Sequence, residues 1–341
     1  MSDLTRSITI SGGGLAGLSL AIALRRRDLP VRIFESGSYP RHRVCGEFIS
    51  GVADETLENL GIAHAFSECR RHRSFSWWQQ GREFHQGQLD QPALGISRHH
   101  LDYQLATMAQ QIGCALQTGH RSKPAPFDGH IWAAGRRPCD GPWIGLKAHV
   151  KGIKKASDLE MHLGANGYLG LAEVEDGWVN ACGLFRIDRS IRAKGPDLLS
   201  AYLEAGGNTR LATDIRNAIW RDDSFTAVAG FSLGRQPEIP GLLCLGDAES
   251  IIPPFTGNGM SMAFQAAEAA ISPLVQWHDG KIPWATTVSE IKAALRSQFS
   301  LRLQSARLLH PFLLKKSGRT LLRALAGCRA LPVRPILSLI R

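Results

Sequence analysis

Three glycines near the start of the chain carry the first chemical signal. Gly12, Gly14 and Gly17 fill the glycine places of G-x-G-x-x-G, between the β-type run 7–11 and an apolar stretch over 18–24. Residues 31–35 return as a second strand ending on a carboxylate, Glu35, which lies 23 residues after Gly12. A strand before the glycines, a helix after them and an acidic residue at this distance are the contexts that mark a dinucleotide fingerprint. Gly12 makes the tight turn, Gly14 lets the backbone approach a pyrophosphate, and Gly17 lets helix and strand pack closely. The helix N-terminus offers free N–H groups and the positive end of its dipole to the phosphates, and Glu35 accepts from ribose hydroxyls.

A second glycine-bearing turn lies far along the chain. The short apolar run 242–245 leads into Gly246 and Asp247, and a loop over 251–259 carrying Pro254, Gly257 and Gly259 opens an Ala-rich helix over 260–274. Again backbone donors at a helix start face something anionic or electron-rich. Other reactive side chains form no recognisable site. The seven cysteines are odd in number, scattered and without a Cys-x-x-Cys pair, so they read as reduced thiols in a cytoplasm. The twelve histidines show no metal-ligand spacing, and no metal is expected.

The elements that must hold these groups begin with a β-α-β unit over 7–35. Residues 49–91 are polar, rich in His and Arg, and contain Trp77 and Trp78 without a period that fixes their structure. A helix is expected over 101–112, after Ile96-Ser97-Arg98. From 143 to 185 short β-type runs alternate with Gly, Asn and Asp. Two of them flank Glu175-Asp176-Gly177, and an Asp-Gly between alternating runs is the strongest short hairpin signal. A second, largely antiparallel sheet therefore sits inside the chain.

Length and charge set the outer limits. A chain of 341 residues, 44% hydrophobic, can bury one large core or two modest ones. There is no secretion signal and no apolar run long enough to span a bilayer. The net charge of +10 is concentrated at one end, because 291–341 holds eleven Lys or Arg and no Asp or Glu. That leaves 29 basic against 30 acidic residues before position 291, so the body is about neutral. No aromatic-rich basic motif accompanies the tail, which argues against a nucleic-acid partner. In the tail Leu295, Phe299, Leu303, Ala306 and Leu309 share a helical face with Arg302, and Leu321, Leu322 and Leu325 oppose Arg319 and Arg323. These read as basic amphipathic helices, packed on the body or contacting anionic lipid headgroups or an acidic carrier protein.

With both glycine motifs in place, the chain resembles the FAD-dependent group that includes p-hydroxybenzoate hydroxylase-type monooxygenases, flavin halogenases and geranylgeranyl reductases. The resemblance covers roughly residues 5–275. It implies that Gly12, Gly14, Gly17 and Glu35 bind the ADP half of FAD. By the same resemblance Gly246 and Asp247 bind the ribityl and phosphate region, and Pro254, Gly257 and Gly259 border the isoalloxazine ring. Arg98, in Ile-Ser-Arg-x-x-Leu, resembles the group's FAD-contacting arginine. The segment Arg41-His-Arg-Val-Cys-Gly-Glu47 resembles the cysteine-glycine segment of geranylgeranyl reductases. That makes Cys45 a candidate active-site residue and Glu47 a substrate-lining one, with Tyr168 at the position of a substrate-lining aromatic. One departure is Ala134, which stands where hydroxylases carry the aspartate of an Asp-Gly motif serving both FAD and the nicotinamide donor. It argues against direct, tight use of NAD(P)H, which stays in view as a transient electron donor.

The implied fold class is α/β (α+β): a Rossmann-like FAD-binding domain, an inserted mostly antiparallel substrate domain and a helical basic C-terminus. The expected boundaries are 1–70, 96–140 and 236–290 for the FAD-binding domain, 71–95 and 141–235 for the substrate domain, and 291–341 for the tail. The leading expectation is a cytoplasmic FAD monooxygenase, peripheral to the membrane if its tail contacts lipid, oxygenating a lipophilic or aromatic substrate of polyketide or isoprenoid type. The alternative is a geranylgeranyl reductase-like hydride transfer, and a third is a non-catalytic prenyl- or partner-binding protein of the same fold. Halogenation is disfavoured, since no Trp-x-Trp-x-Ile-Pro signature is present and Lys147 reads as a strand-face residue.

Overall fold

The computed structural model describes residues 6–328 and 330–332. The smaller of its two main sheets is parallel. Its five strands run in the order Leu243–Cys244, His130–Trp132, Ile8–Ser11, Val31–Phe34, Ala115–Gln117. Ile8, Ile10, Ile33, Ile131 and Leu243 are fully buried, as befits a parallel sheet covered on both faces. Among the described residues the helices are α1 Leu15–Arg25, α2 Asp54–Leu60, α3 Arg98–Gln111, α4 Asp197–Ala205, α5 Thr209–Asn217, α6 Gly259–His278, α7 Trp284–Leu314 and α8 Lys316–Gly327. α1 is buried from Leu15 to Leu24 and packs against α3 and α6, which explains why its sequence is apolar all round rather than amphipathic.

The larger sheet has nine strands. Its order is Ile219–Trp220, Trp143–Lys151, Val179–Arg186, Gly167–Glu173, Leu159–Leu163, Arg70–Gln79, Arg82–Gly95, Phe48–Ile49, with Thr226–Ala229 also paired to Trp143–Lys151. Every pairing is antiparallel except that of Arg70–Gln79 with Leu159–Leu163. The Asp-Gly hairpin forms as expected, with Asp176 and Gly177 at φ of 57° and 70°, the left-handed region that Asp and Gly tolerate. α4 and α5 cover one face through Leu199, Tyr202, Leu203, Leu211 and Ile215.

The polar stretch that no period assigned is a long hairpin of Arg70–Gln79 and Arg82–Gly95, turned by Gln80 and Gly81 at positive φ. Register shifts at His72/Ser74 and Trp77/Trp78 break its alternation, so polar and apolar residues never settle into a period of two. The tail also differs from expectation. α7 begins at Trp284, before position 291, and buries Trp284, Val288, Ile291, Leu295, Phe299, Leu303 and Ala306 in one continuous stripe. Arg302 is buried and donates to Gln265 Oε1 at 2.8 Å. α8 does not oppose its leucines to Arg319: that arginine is buried beside Leu322, while Leu321 is exposed. The reason is that Arg319 turns inward and donates to the carbonyls of Leu313 and Leu314, capping the end of α7. A β-carbon on Gly318 would lie 2.5 Å from the Phe312 backbone, so only glycine lets α8 cross α7 this closely. Arg329, Arg334 and Arg341 of the basic tail lie outside the described residues.

Candidate active site

The first glycine loop joins Ile8–Ser11 to α1, and its glycines meet different constraints. Gly12 has φ of 115°, and a β-carbon there would sit 2.3 Å from the Ala133 carbonyl. At Gly17 the added atom would sit 2.0 Å from the Gly12 oxygen, so it closes the gap between helix and loop. Gly14 has nothing within 4 Å, and it lies in a cavity wall with Leu15 and Ala16 at the start of α1. No side chain caps that helix, so its first N–H groups face the cavity. At the end of the neighbouring strand Glu35 is buried, accepting from Gly13 N–H at 2.8 Å, Gly37 N–H at 2.8 Å and Arg41 Nη2 at 2.6 Å. Burial works against its charged form, but the Gly37 N–H and the two arginines outweigh that and hold its carboxyl below the usual range. Its Oε2 takes one of these bonds and keeps acceptor capacity for a hydroxyl.

A cluster of arginines and carboxylates flanks the loop. Arg98 binds Asp102 through both ends of its guanidinium, at 2.7 and 2.9 Å, and Arg43 joins the same carboxylate at 2.9 Å. Asp102 is fully buried, a residue that sequence reasoning passed over although Arg98 and Asp102 stand one helical turn apart. Gly246 and Asp247 sit across the cavity, where the Asp247 side chain is exposed to the cavity interior. Surrounding protein raises the Asp247 carboxyl, an effect that Arg98, Arg136 and Arg43 partly offset. The second glycine loop lines the next stretch through Pro254, Gly257 and Gly259. Gly257 has φ of 68° and lies against the Phe48 ring, and the start of α6 at Gly259 has no side-chain cap.

These walls enclose one continuous cavity of about 970 Å³, at the upper end of the ~300–1,000 Å³ usual for ligand pockets. One end is polar, with Glu35, Arg41 and His120, and the other is apolar, with Trp77, Met161, Tyr168, Phe231 and Leu309. Cys45 and Cys182 lie in the wall between, both as free thiols, and burial raises the pKa of each. Tyr168 is buried edge-on to Phe255 at 6.3 Å and to His310 at 5.9 Å, and burial raises its phenol.

The residues present fit FAD. The open backbone at Gly14, two uncapped helix starts and the acceptor on Glu35 follow one another along the polar length of the cavity. The lining residues Arg41, Arg43 and Trp132 also carry buried donors, at Nε, Nη2 and Nε1, with no hydrogen-bond partner among the described residues. Such donors carry a cost unless a ligand or solvent accepts from them.

Glu47 does not line the cavity. It is fully buried behind it, at φ of 55°, and accepts from His149 Nε2 at 2.5 Å and Arg98 N–H at 2.9 Å. Lys147, also fully buried, lies 3.3 Å from Glu47 Oε1 and donates to His42 Nδ1 at 2.9 Å. Lys147 lies on the strand Trp143–Lys151 as expected, but its side chain is the centre of a buried network, and His42 is the member of that network in the cavity wall. Burial would raise the Glu47 carboxyl, yet Lys147 and His149 more than offset it and hold it low. Burial, then Lys147, push His42 down to about 3, so its ring is neutral at neutral pH. His149 and His42, and the network role of Lys147, escaped sequence reasoning because the partners lie about a hundred residues away in the chain.

Among the described residues no cluster of three or more His, Cys, Asp or Glu could hold a metal ion, and no helix is long and apolar enough to cross a membrane. No family model matches the chain. Menaquinone reductase of Mycobacterium tuberculosis is 21% identical over 316 residues, covering 79% of this chain and 76% of that protein. Among solved structures, the flavin-dependent brominase Bmp2 superposes with a TM-score of 0.75 at 17% identity, covering 98% of this chain and 97% of that one. p-Nitrophenol 4-monooxygenase PnpA of Pseudomonas putida superposes at 0.74 with 12% identity, covering 98% and 96%. A geranylgeranyl bacteriochlorophyll reductase-like protein of Thermoplasma acidophilum superposes at 0.73 with 17% identity, covering 98% and 95%.

Proposed function

We infer the function from a fold shared with the flavin-dependent brominase, the p-nitrophenol monooxygenase and the geranylgeranyl reductase-like protein. We propose that the chain is an FAD-dependent oxidoreductase of the monooxygenase type, acting on a lipophilic or aromatic substrate. The observation that carries this is the continuous cavity lined at its polar end by both glycine loops and Glu35 and at its far end by aromatic and aliphatic side chains. Bound FAD would supply the electron transfer, and the protein's own work is positioning and exclusion of water. Gly12, Gly14, Gly17 and Glu35 would hold the adenosine and pyrophosphate half, Gly246 and Asp247 the ribityl region, and Pro254, Gly257 and Gly259 the ring. Arg98, locked by Asp102, sets a fixed positive charge beside Cys45 and Asp247. Trp77, Met161, Tyr168 and Phe231 would receive the apolar substrate and keep water from it.

A specific feature favours a reductase as the second reading. The Cys45 thiol, raised by burial, keeps its proton at neutral pH at the junction of the polar and apolar lengths of the cavity. Reduction of a carbon–carbon double bond needs a hydride at one carbon and a proton at the other, and Cys45 Sγ holds such a proton. The test is the visible spectrum of the purified protein, recorded anaerobically before and after NADPH. Flavin bands are expected. Bleaching by NADPH would mean direct nicotinamide use despite Ala134, and persistence would mean a separate donor. Protein without flavin bands that also fails to take up added FAD would overturn the proposal. Product formed by reduced enzyme under strict anaerobiosis would select the reductase.

A further inference from the structure

The eight tail cations inside the described residues divide into two groups. Lys292 and Arg296 pair with Glu238, at 3.4 and 2.5 Å, and Arg302 and Arg319 are buried with internal acceptors. Arg307, Lys315, Lys316 and Arg323 are instead exposed, and no described carboxylate pairs with them. They share the distal part of α7 and α8 with apolar side chains turned to solvent. Leu301, Leu308 and Phe312 are 61%, 71% and 43% exposed, and their spacing of seven and four residues puts them on one face of α7. Leu321 on α8 is 46% exposed. A stripe of exposed leucine and phenylalanine is costly in water and is not what a solvated helix face needs.

The position of this patch gives it meaning. Phe312 and Leu321 line the cavity and are exposed to solvent, so the inner wall and the outer surface coincide there. Leu309, Leu313, Leu322 and Leu325 continue the wall inward to Tyr168 and Phe231. The apolar end of the cavity thus reaches the surface beside α7 and α8, the two helices that carry the four exposed cations without a carboxylate partner among the described residues.

We propose that the distal face of α7 and α8 docks on an anionic lipid bilayer, so that the cavity mouth opens into the acyl region and takes its substrate from the membrane. Arg307, Lys315, Lys316 and Arg323 meet the phosphate headgroups, and Leu301, Leu308 and Phe312 enter the headgroup–acyl boundary. An acidic carrier protein would satisfy the cations but leaves the exposed leucine stripe unexplained. This inference rests on the lipophilic-substrate reading for the purpose of the docking, not for the docking itself.

The test is co-sedimentation of the full chain with phosphatidylcholine vesicles, with and without phosphatidylglycerol, the visible spectrum being taken on the same samples. Binding is expected only with phosphatidylglycerol and should weaken as salt rises. Arg307→Glu with Lys315→Glu should weaken it by at least about tenfold, since each cation contributes roughly fivefold at an anionic surface. Leu301→Ser with Leu308→Ser, neither residue in the cavity wall, should lose binding while keeping the wild-type spectrum. No binding to either vesicle, equal binding to both, or helix variants that bind like wild type while deletion of 333–341 abolishes binding would each overturn the proposal. A missing flavin spectrum with intact vesicle binding would strike the enzymatic reading and leave the docking surface standing.

Discussion

Side chains and their absence decide the first glycine loop. A β-carbon at Gly17 would collide with the Gly12 carbonyl, whereas at Gly14 it would enter open cavity space. Gly17→Ala should therefore cost stability outright, while Gly14→Ala should leave the apo protein within about 1 kcal/mol of wild type, as expected for a change at a helix N-cap. FAD affinity should fall sharply in Gly14→Ala, because the backbone could no longer approach a phosphate. Thermal melts of apo protein paired with FAD titrations would check this, and a Gly14→Ala chain with unaltered affinity would remove Gly14 from the site. These glycines were legible in the sequence because the constraint on them is local and encoded in spacing. His42 and Lys147 were not, since burial and a distant partner give each its role and no short pattern records either, and Asp102 left only its spacing of four residues from Arg98.

Between elements, the Glu47–Lys147–His149 network pins the segment after the second parallel strand to the middle of the large sheet. An ion pair sealed from water is poor evidence of net stability, yet removing one partner strands a charge. Lys147→Met and Glu47→Gln should each destabilise the fold by about 3–5 kcal/mol. The double substitution should cost less than their sum, as urea denaturation of the four proteins would show. Strict additivity would mean that the two groups do not interact. Elements differed in legibility for a related reason. The Asp-Gly hairpin at 175–177 announces itself through two residues able to take positive φ between regular runs. The hairpin at 70–95 is hidden by two register shifts and by polar side chains on both faces. The length of α7 was hidden because its stripe starts at Trp284, in a segment whose composition gives no hint that it belongs to the basic tail.

At the scale of the whole molecule, buried titratable groups set how the fold responds to acid. His42 and His310 are held down to about 3 and about 4, first by burial and then by Lys147 and Arg186 respectively. In the unfolded chain a histidine titrates near ~6.5, so between these values the unfolded state binds more protons. Stability is then complete above about pH 6.5 and declines as the pH falls toward the folded values. Glu47 and Glu160, both held low, add a further loss below the ordinary glutamate range. Asp247 acts in the opposite sense, because its raised carboxyl favours the fold at the acid end. Melting temperatures should therefore drop between about pH 7.5 and about pH 5. A His310→Phe chain should lose less over that interval, and a flat profile would show that these rings are not buried in their neutral form.

The parallel sheet also orders events in time. Its strands come from residues 8–11, 31–34, 115–117, 130–132 and 243–244, and the large sheet is spelled out between them. A ribosome has thus released most of the chain before Leu243–Cys244 can add its edge or Gly246 can face Gly12. Nascent fragments would expose the apolar flank of His130–Trp132, a natural binding surface for chaperones, and tight retention of a yellow chromophore would mark the moment when synthesis has passed the second glycine loop.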